Sequence, residues 1–486
     1  MLNNLSKYAN YSLTQNGALT HKSSGSDCID LFFGAGSMRN ATEDRISKAV
    51  IRAYCEDPEK TMKIIFYARD VRGGLGERRF FRTALHTLGD FAPEAVERNL
   101  GYISEYGRYD DISALFGTAC EKAAFALISE QLKKDVSAME EGGQVSLLGK
   151  WLPSVNASSE KTRQMGKRLA RYLGMSEKDY RKTLSSLRKY LDILENRLRK
   201  TDYSFDYEKQ PSCAMFKYNK AFIRNDNERY LEYIKSVHEG KAKMNTATLY
   251  PYQIVRKALE KELSEEERLS LDAAWKNLPI YGGSKENAIA VVDGSGSMYS
   301  GGILRPIDAA LSLGIYFAEH NEGAFGGHFI NFSSTPQLIK IKGRDIFEKV
   351  EYCSSYNEIA NTDLEAVFSL ILDTAVSNNL DEKELPSRLY IISDMEFDFC
   401  VRFGSNMTLF ETMKEVYASY GYKLPQIVFW NVNNYGNNVP VSASKTGAAL
   451  ISGASPILFE LVTKGEISPE IIMDNIIGSE RYEKIA

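Results

Sequence analysis

Residues Ile289-Ala290-Val291-Val292 form a short, β-branched apolar run that breaks at once into Asp293-Gly294-Ser295-Gly296-Ser297. The run is too short and too branched for a helix, and the glycines and serines behind it end any regular structure. It reads as a buried strand opening into a loop. Asp293, Ser295 and Ser297 alternate with glycines, so three side-chain oxygens can turn inward over a relaxed backbone. Carboxylate and hydroxyl donors suit a hard cation, Mg²⁺ first and Mn²⁺ or Ca²⁺ as alternatives.

The residues that follow supply a frame for that loop. Helices are predicted at 306–319, 347–352, 364–377, 409–420 and 456–463, the last closing the chain. Strands are predicted at 388–393, 426–432 and 448–452, with 327–332 and 337–341 joined as a hairpin. Strand alternating with helix implies a mostly parallel sheet covered on both faces, with ligands beyond the carboxyl ends of its strands. That rule gathers Asp293, Ser295 and Ser297 with Thr362, ahead of one helix, and Asp394, behind one strand.

A chain of 486 residues exceeds a single hydrophobic core, so at least two domains are expected. The segment 279–284 is the natural boundary, dividing the chain into an irregular arm (1–40), a helical region (41–283) and the strand–helix region (284–486). The arm is polar and rich in Gly and Ser, with one apolar knot at Ile29-Asp30-Leu31-Phe32-Phe33 through which it docks. No apolar stretch approaches the ~20 residues of a membrane span, and the first residues lack the pattern of a signal peptide. A cytoplasmic protein without membrane contact is expected. Six cysteines occur without a Cys-x-x-Cys pair, which favours reduced thiols over zinc or a disulfide framework.

The helical region steps its apolar residues by three and four, as in Ile46, Ala49, Val50 and Ala53 before a break at Asp57-Pro58. Short helices in hairpins imply a repeat-like array. Between two of them lies Arg69-Asp70-Val71-Arg72-Gly73-Gly74-Leu75-Gly76-Glu77-Arg78-Arg79. Glycines beside arginines suit a phosphate, yet the ending of a nucleotide P-loop is missing, so a solvated turn and an RNA phosphate contact both stand. From 161 to 200 there are thirteen basic residues against four acidic ones, opposite Leu184, Leu187, Leu191, Leu194 and Leu198, read as one amphipathic helix. A solvated face and a nucleic-acid surface both fit this run. Residues 1–286 carry 46 Lys+Arg against 39 Asp+Glu and the remaining 200 carry 14 against 25, so a mildly basic half adjoins an acidic one. Candidate RNA contacts are Arg69, Arg72, Arg78, Arg79, Arg108, Lys150, Lys167, Arg168, Arg171, Arg181, Arg188 and Lys217. Tyr102, Tyr106, Tyr109, Tyr203, Tyr207 and Tyr218 are open to base stacking or to packing.

Asp-x-Ser-x-Ser, a later Thr-Asp before a helix and Ser-Asp after a strand resemble the metal-ion-dependent adhesion site of von Willebrand factor A domains. The resemblance implies hydroxyl ligation by Ser295, Ser297 and Thr362, with Asp293 and Asp394 bound directly or through water and one position open to an acidic group of a protein partner. The stretches 69–78, 105–111, 150–154, 211–215, 393–398 and Phe429-Trp430-Asn431 resemble signatures of the DUF2828 family. The layout is similar to that of the Ro (TROVE) proteins, whose helices close into an RNA-binding ring. The fold expected is therefore α + α/β: a HEAT-like helical array, with closure into a monomeric ring left open, followed by an A domain. A non-enzymatic RNA-binding scaffold leads; a metal-dependent protein-interaction module is the alternative; a metal-dependent phosphohydrolase comes third, because no His or Lys stands beside the candidate ligands as a base.

Overall fold

The computed structural model describes residues 1–486 apart from 2–4, 6–8, 261, 282–286, 301–303, 334, 357–362, 398–408, 434–437 and 463–466. Residues expected to form an irregular arm are instead ordered into a hairpin, β1 (Tyr11–Leu13) with β2 (Leu19–His21), and a helix, α1 (Asp27–Ala35). Ser26 caps α1 by accepting from Ile29 N, and the knot becomes its buried face through Ile29, Leu31, Phe32 and Phe33.

Helix follows helix from there. α2 (Glu43–Glu56) ends at Asp57, which also starts α3 (Pro58–Arg69): its carboxylate accepts from Lys60 N, and Pro58 takes the first turn, where no N–H is needed. α4 (Arg78–Phe91) follows the glycine-rich turn. The basic stretch is not one helix but three, α5 (Glu160–Tyr172), α6 (Glu177–Tyr190) and α7 (Leu194–Arg199). Gly174 at φ +65° and Asp192 at φ +44° break it, because a left-handed residue cannot continue a right-handed helix.

In the second half, β3 (Ala288–Asp293), β4 (His328–Phe332), β5 (Leu338–Lys340), β6 (Arg388–Ser393), β7 (Gln426–Asn431) and β8 (Ala448–Ser452) form one sheet in the order β5-β4-β3-β6-β7-β8. Every pairing is parallel except the β4–β5 hairpin. β3, β6 and β8 are buried along their whole length, as a sheet covered on both faces requires. α8 (Pro306–His320) and α9 (Leu364–Asn378) lie where helices were expected. The helix expected to close the chain is short, Leu458–Leu461, and a further helix follows, α10 (Pro469–Ile477).

The larger of two apolar cores runs from Ala18 to Ile485 and includes residues of both halves, and a smaller one gathers Leu194, Phe205, Tyr207, Phe222, Tyr230 and Ile234 within the helical half. Gly36, after α1, packs so tightly on the end of β8 that a Cβ would lie 2.5 Å from Ser452 O, and its N–H donates to Ser452 Oγ. No described helix is long and apolar enough to cross a membrane.

Candidate metal centre and basic cavity

The sheet register decides the first site. β3 and β6 are parallel neighbours with Val292 opposite Ile392, so Asp293 and Ser393 end side by side at the carboxyl edge. Ser393 Oγ donates to Asp293 Oδ2 at 2.6 Å, and Ser295 N donates to Oδ1 at 2.9 Å. Ser295 Oγ lies 3.1 Å from Ser297 Oγ, and Ser297 hydrogen-bonds Asp394. Asp293, Ser295 and Asp394 are all buried. Burial and the neighbouring Asp394 push the Asp293 carboxyl up to about 7, and burial raises Asp394 against the pull of Ser297. Asp394 Oδ2 is buried with no hydrogen-bond partner among the described residues. Two crowded carboxylates, two hydroxyls and an unsatisfied anionic oxygen suit a hard cation. The donor set is oxygen-only and rests on two carboxylates plus hydroxyls; no cluster of three His, Cys, Asp or Glu that could hold a metal occurs among the described residues. Thr362 lies outside the described residues.

Behind Asp394 the loop is held from two sides. Met395 sits at φ +65°, a left-handed conformation that costs a side chain about 1–2 kcal/mol. Its N–H is held by Ser393 Oγ at 3.0 Å. Glu396 receives Gln15 N at 2.7 Å and Asn438 Nδ2 at 2.8 Å, and Thr14 Oγ1 donates to Phe397 O at 2.5 Å. The β1–β2 hairpin thus straps the loop that carries Asp394.

The candidate RNA residues divide. Arg69 is buried and its Nε meets the buried Asp111 Oδ2 at 2.7 Å, so it serves the fold and has no face for a phosphate. Arg188 is likewise committed, to Gly149 O, Leu152 O and Ser154 Oγ. Arg108 stacks on Trp151 at 4.0 Å and pairs with Asp110; Lys150 pairs with Glu195 at 3.3 Å. Arg72, Arg78, Arg79, Lys167, Arg168, Arg171, Arg181 and Lys217 are exposed. Of these, Arg78 pairs with Asp110, Lys167 with Glu177 and Arg168 with Glu121. Tyr106 and Tyr207 are buried packing residues. His320 and His328 bind backbone carbonyls within the fold, as a structural role predicts.

A second concavity, about 1100 Å³ in volume, opens between α2, α4, α5 and the turns around them. Arg39, Arg78, Arg79, Arg82, Lys161 and Arg168 line it against Glu43, Glu77 and Asp110, with Tyr109, Trp151, Tyr250 and Tyr252 among its aromatic walls. Leu304 and Ala454 bring the sheet half to its rim. Arg39, Arg82 and Tyr250 were missed in the sequence. The spacing of Arg78 and Arg82, one helical turn apart on α4, was the available signal.

A model described as Domain of unknown function (DUF2828) matches residues 14–119 and 108–279, more than half of the chain. The chain belongs to the DUF2828 family. In this DUF2828 protein a second model, Domain of unknown function (DUF7788), matches residues 287–479. The uncharacterized protein L728 of Acanthamoeba polyphaga mimivirus is 28% identical over 496 residues, covering 94% of this chain and 85% of its own length. The Ro (RSR) protein of Deinococcus radiodurans aligns over 93% of both chains at 12% identity with a TM-score of 0.35, a distance at which nothing transfers from it.

Proposed function

We propose that this DUF2828 protein is a non-enzymatic RNA-binding scaffold. The observation that supports it most is the face made by α5 and α6. Lys161, Arg171, Lys178, Arg181, Lys182 and Lys189 are exposed there, and none has a carboxylate partner among the described residues. Uncompensated basic side chains on adjacent helices match a phosphate backbone, and displaced counterions supply the affinity. The test is binding of single-stranded RNA by fluorescence anisotropy across a salt series. Affinity should fall steeply with salt, and Lys178→Glu/Arg181→Glu/Lys182→Glu should reduce the slope of log K against log salt by about 2, at about 0.7 for each phosphate no longer neutralised. Absence of binding at low salt overturns the reading.

A cation site at the sheet edge is the second part of the proposal, and the unsatisfied Asp394 Oδ2 beside Asp293 favours it. Asp293, Ser295, Ser297 and Asp394 would hold the ion, Mg²⁺ above others, with Thr362 as a further candidate. A bound Mg²⁺ would neutralise the two crowded carboxylates and leave room for an acidic side chain of a partner protein, as in von Willebrand factor A domains. Mg²⁺ at 100 times its Kd would stabilise the fold by about 2.7 kcal/mol, read as a rise in Tm. Asp394→Asn should abolish that rise while raising the metal-free Tm, because it removes the like-charge contact. If Mg²⁺ leaves the Tm of the native chain unchanged, no cation binds.

A further inference from the structure

The cavity beside α4 holds more guanidinium than carboxylate, and its donors are short of acceptors. Glu77 is taken by Arg39. Asp110 is shared among Arg78, Arg82 and Arg108, whose guanidiniums outweigh its burial and hold its carboxyl below the usual range. Asp111 is divided between Arg69 and Arg82. Arg79 donates through Nη1 to the carbonyls of Arg39 and Ala41, and no carboxylate faces it among the described residues. The wall therefore carries a surplus of positive charge.

Three buried polar atoms in or just behind that wall have no hydrogen-bond partner among the described residues: Arg39 Nη1, Arg82 Nη2 and Tyr250 Oη. Arg82 Nη2 does lie 2.9 Å from Asp110 Oδ2, outside hydrogen-bond alignment. Buried polar groups are nearly always satisfied, so two orphans beside a third atom held only by its ion pair, all around one concavity, mark a missing partner. Two of the three can only donate, and burial raises the Tyr250 phenol well above its ordinary range, which keeps it a neutral O–H donor. The missing partner is an acceptor. Gly76, at φ +70°, belongs to the arrangement: a Cβ there would lie 2.2 Å from Tyr250 Oη, so only glycine lets the phenol reach the turn.

We propose that this cavity binds a phosphomonoester dianion, with its oxygens accepting from Arg39, Arg79, Arg82 and Tyr250 and with Trp151 and Tyr252 flanking the group that carries the phosphate. Surplus guanidinium selects a doubly charged oxyanion, and the arginine fork matches phosphate geometry. A volume of about 1100 Å³ admits a whole nucleotide rather than the bare ion. The phosphate is carried either by a free mononucleotide or by the end of a nucleic-acid strand. The site adjoins the α5–α6 face, with Lys161 on the border of both, but its proposed donors lie outside that face and it does not depend on RNA binding there.

The test is thermal unfolding and calorimetry of the full chain with adenosine 5′-monophosphate, adenosine and succinate at matched ionic strength. The monophosphate should raise the Tm, and adenosine and succinate should not. Arg79→Gln and Arg82→Gln should each weaken binding about tenfold. Arg82 also braces Asp111, so a second variant guards against misfolding: Thr83→Glu, on the cavity wall of α4, adds a negative charge without removing an ion pair and should abolish the shift. The proposal falls if the monophosphate stabilises no more than succinate, or if Thr83→Glu binds it as the native chain does. A further arm separates the two sources. Single-stranded RNA with a terminal phosphate binding more tightly than its hydroxyl-ended counterpart, through an increment lost in Thr83→Glu, identifies a strand end; no increment, with the monophosphate still bound, identifies a free nucleotide. The α6 triple reversal separates this proposal from the RNA reading, because it should weaken RNA binding and its salt dependence and leave the monophosphate shift intact.

Discussion

Gly107 is a small residue in a crowded place. A Cβ there would lie 2.6 Å from Asp111 Oδ2 and 2.9 Å from Arg69 Nε, so the glycine leaves room for the buried pair that joins two distant turns. Gly107→Ala should destabilise the fold by about 1–3 kcal/mol through overpacking, read from urea unfolding. Asp111→Ala should cost about 3–5 kcal/mol, because Arg69 would stay buried without its counter-charge. A loss under about 1 kcal/mol, of the size expected for a surface pair, would show that Arg69 has reached solvent. This pair also explains a failure of sequence reasoning. Arg69 stands beside Arg72, Arg78 and Arg79 and looks like one more surface base, and its partner lies 42 positions away.

The β1–β2 hairpin and the loop behind β6 form one unit. Thr14 Oγ1 donates to Phe397 O and accepts from Ala18 N, fastening the hairpin both to itself and to the loop of Asp394. Thr14→Val keeps the shape and orphans two buried backbone groups, which should cost about 1–3 kcal/mol. Hydrogen exchange resolved to peptides should speed up in residues 393–397 as well as in the hairpin. Faster exchange confined to the hairpin would mean that the strap does not hold the loop. The strands were legible because β-branched runs flanked by Gly and Ser announce themselves, and β6 and β8 lie where that pattern puts them. The arm was not, because its Ser and Gly residues conceal a Ser26 cap and two three-residue strands that pair with each other and are anchored by Val439 and Glu396, hundreds of positions away. Nor was the break in the basic helix, since Asp192 gives no local signal of the left-handed turn it adopts.

The last residues return to the first helices. Arg481 pairs with the buried Asp70, Tyr482 Oη donates to the same carboxylate at 3.0 Å, and Tyr106 donates to Arg481 O. Asn99 bonds both main-chain groups of Ala486. Arg481→Ala should cost about 2 kcal/mol, since Arg481 is about a third exposed and Arg72 N and Tyr482 still serve Asp70. Because one core includes residues of both halves, unfolding should remain a single transition, and separate melting of the helical and sheet halves would contradict the shared core. Local pattern was enough to read a helical first half, a parallel sheet in the second and an oxygen-rich loop at Asp293, because each rests on neighbours within a few residues. Tertiary structure alone decided that the buried Arg69 and the half-buried Arg188 are supports of the fold, that Arg39, Arg82 and Tyr250 share one cavity, and that both chain ends brace the opposite half. Those contacts join residues tens to hundreds of positions apart, and a buried ion pair looks the same in sequence as two solvated charges.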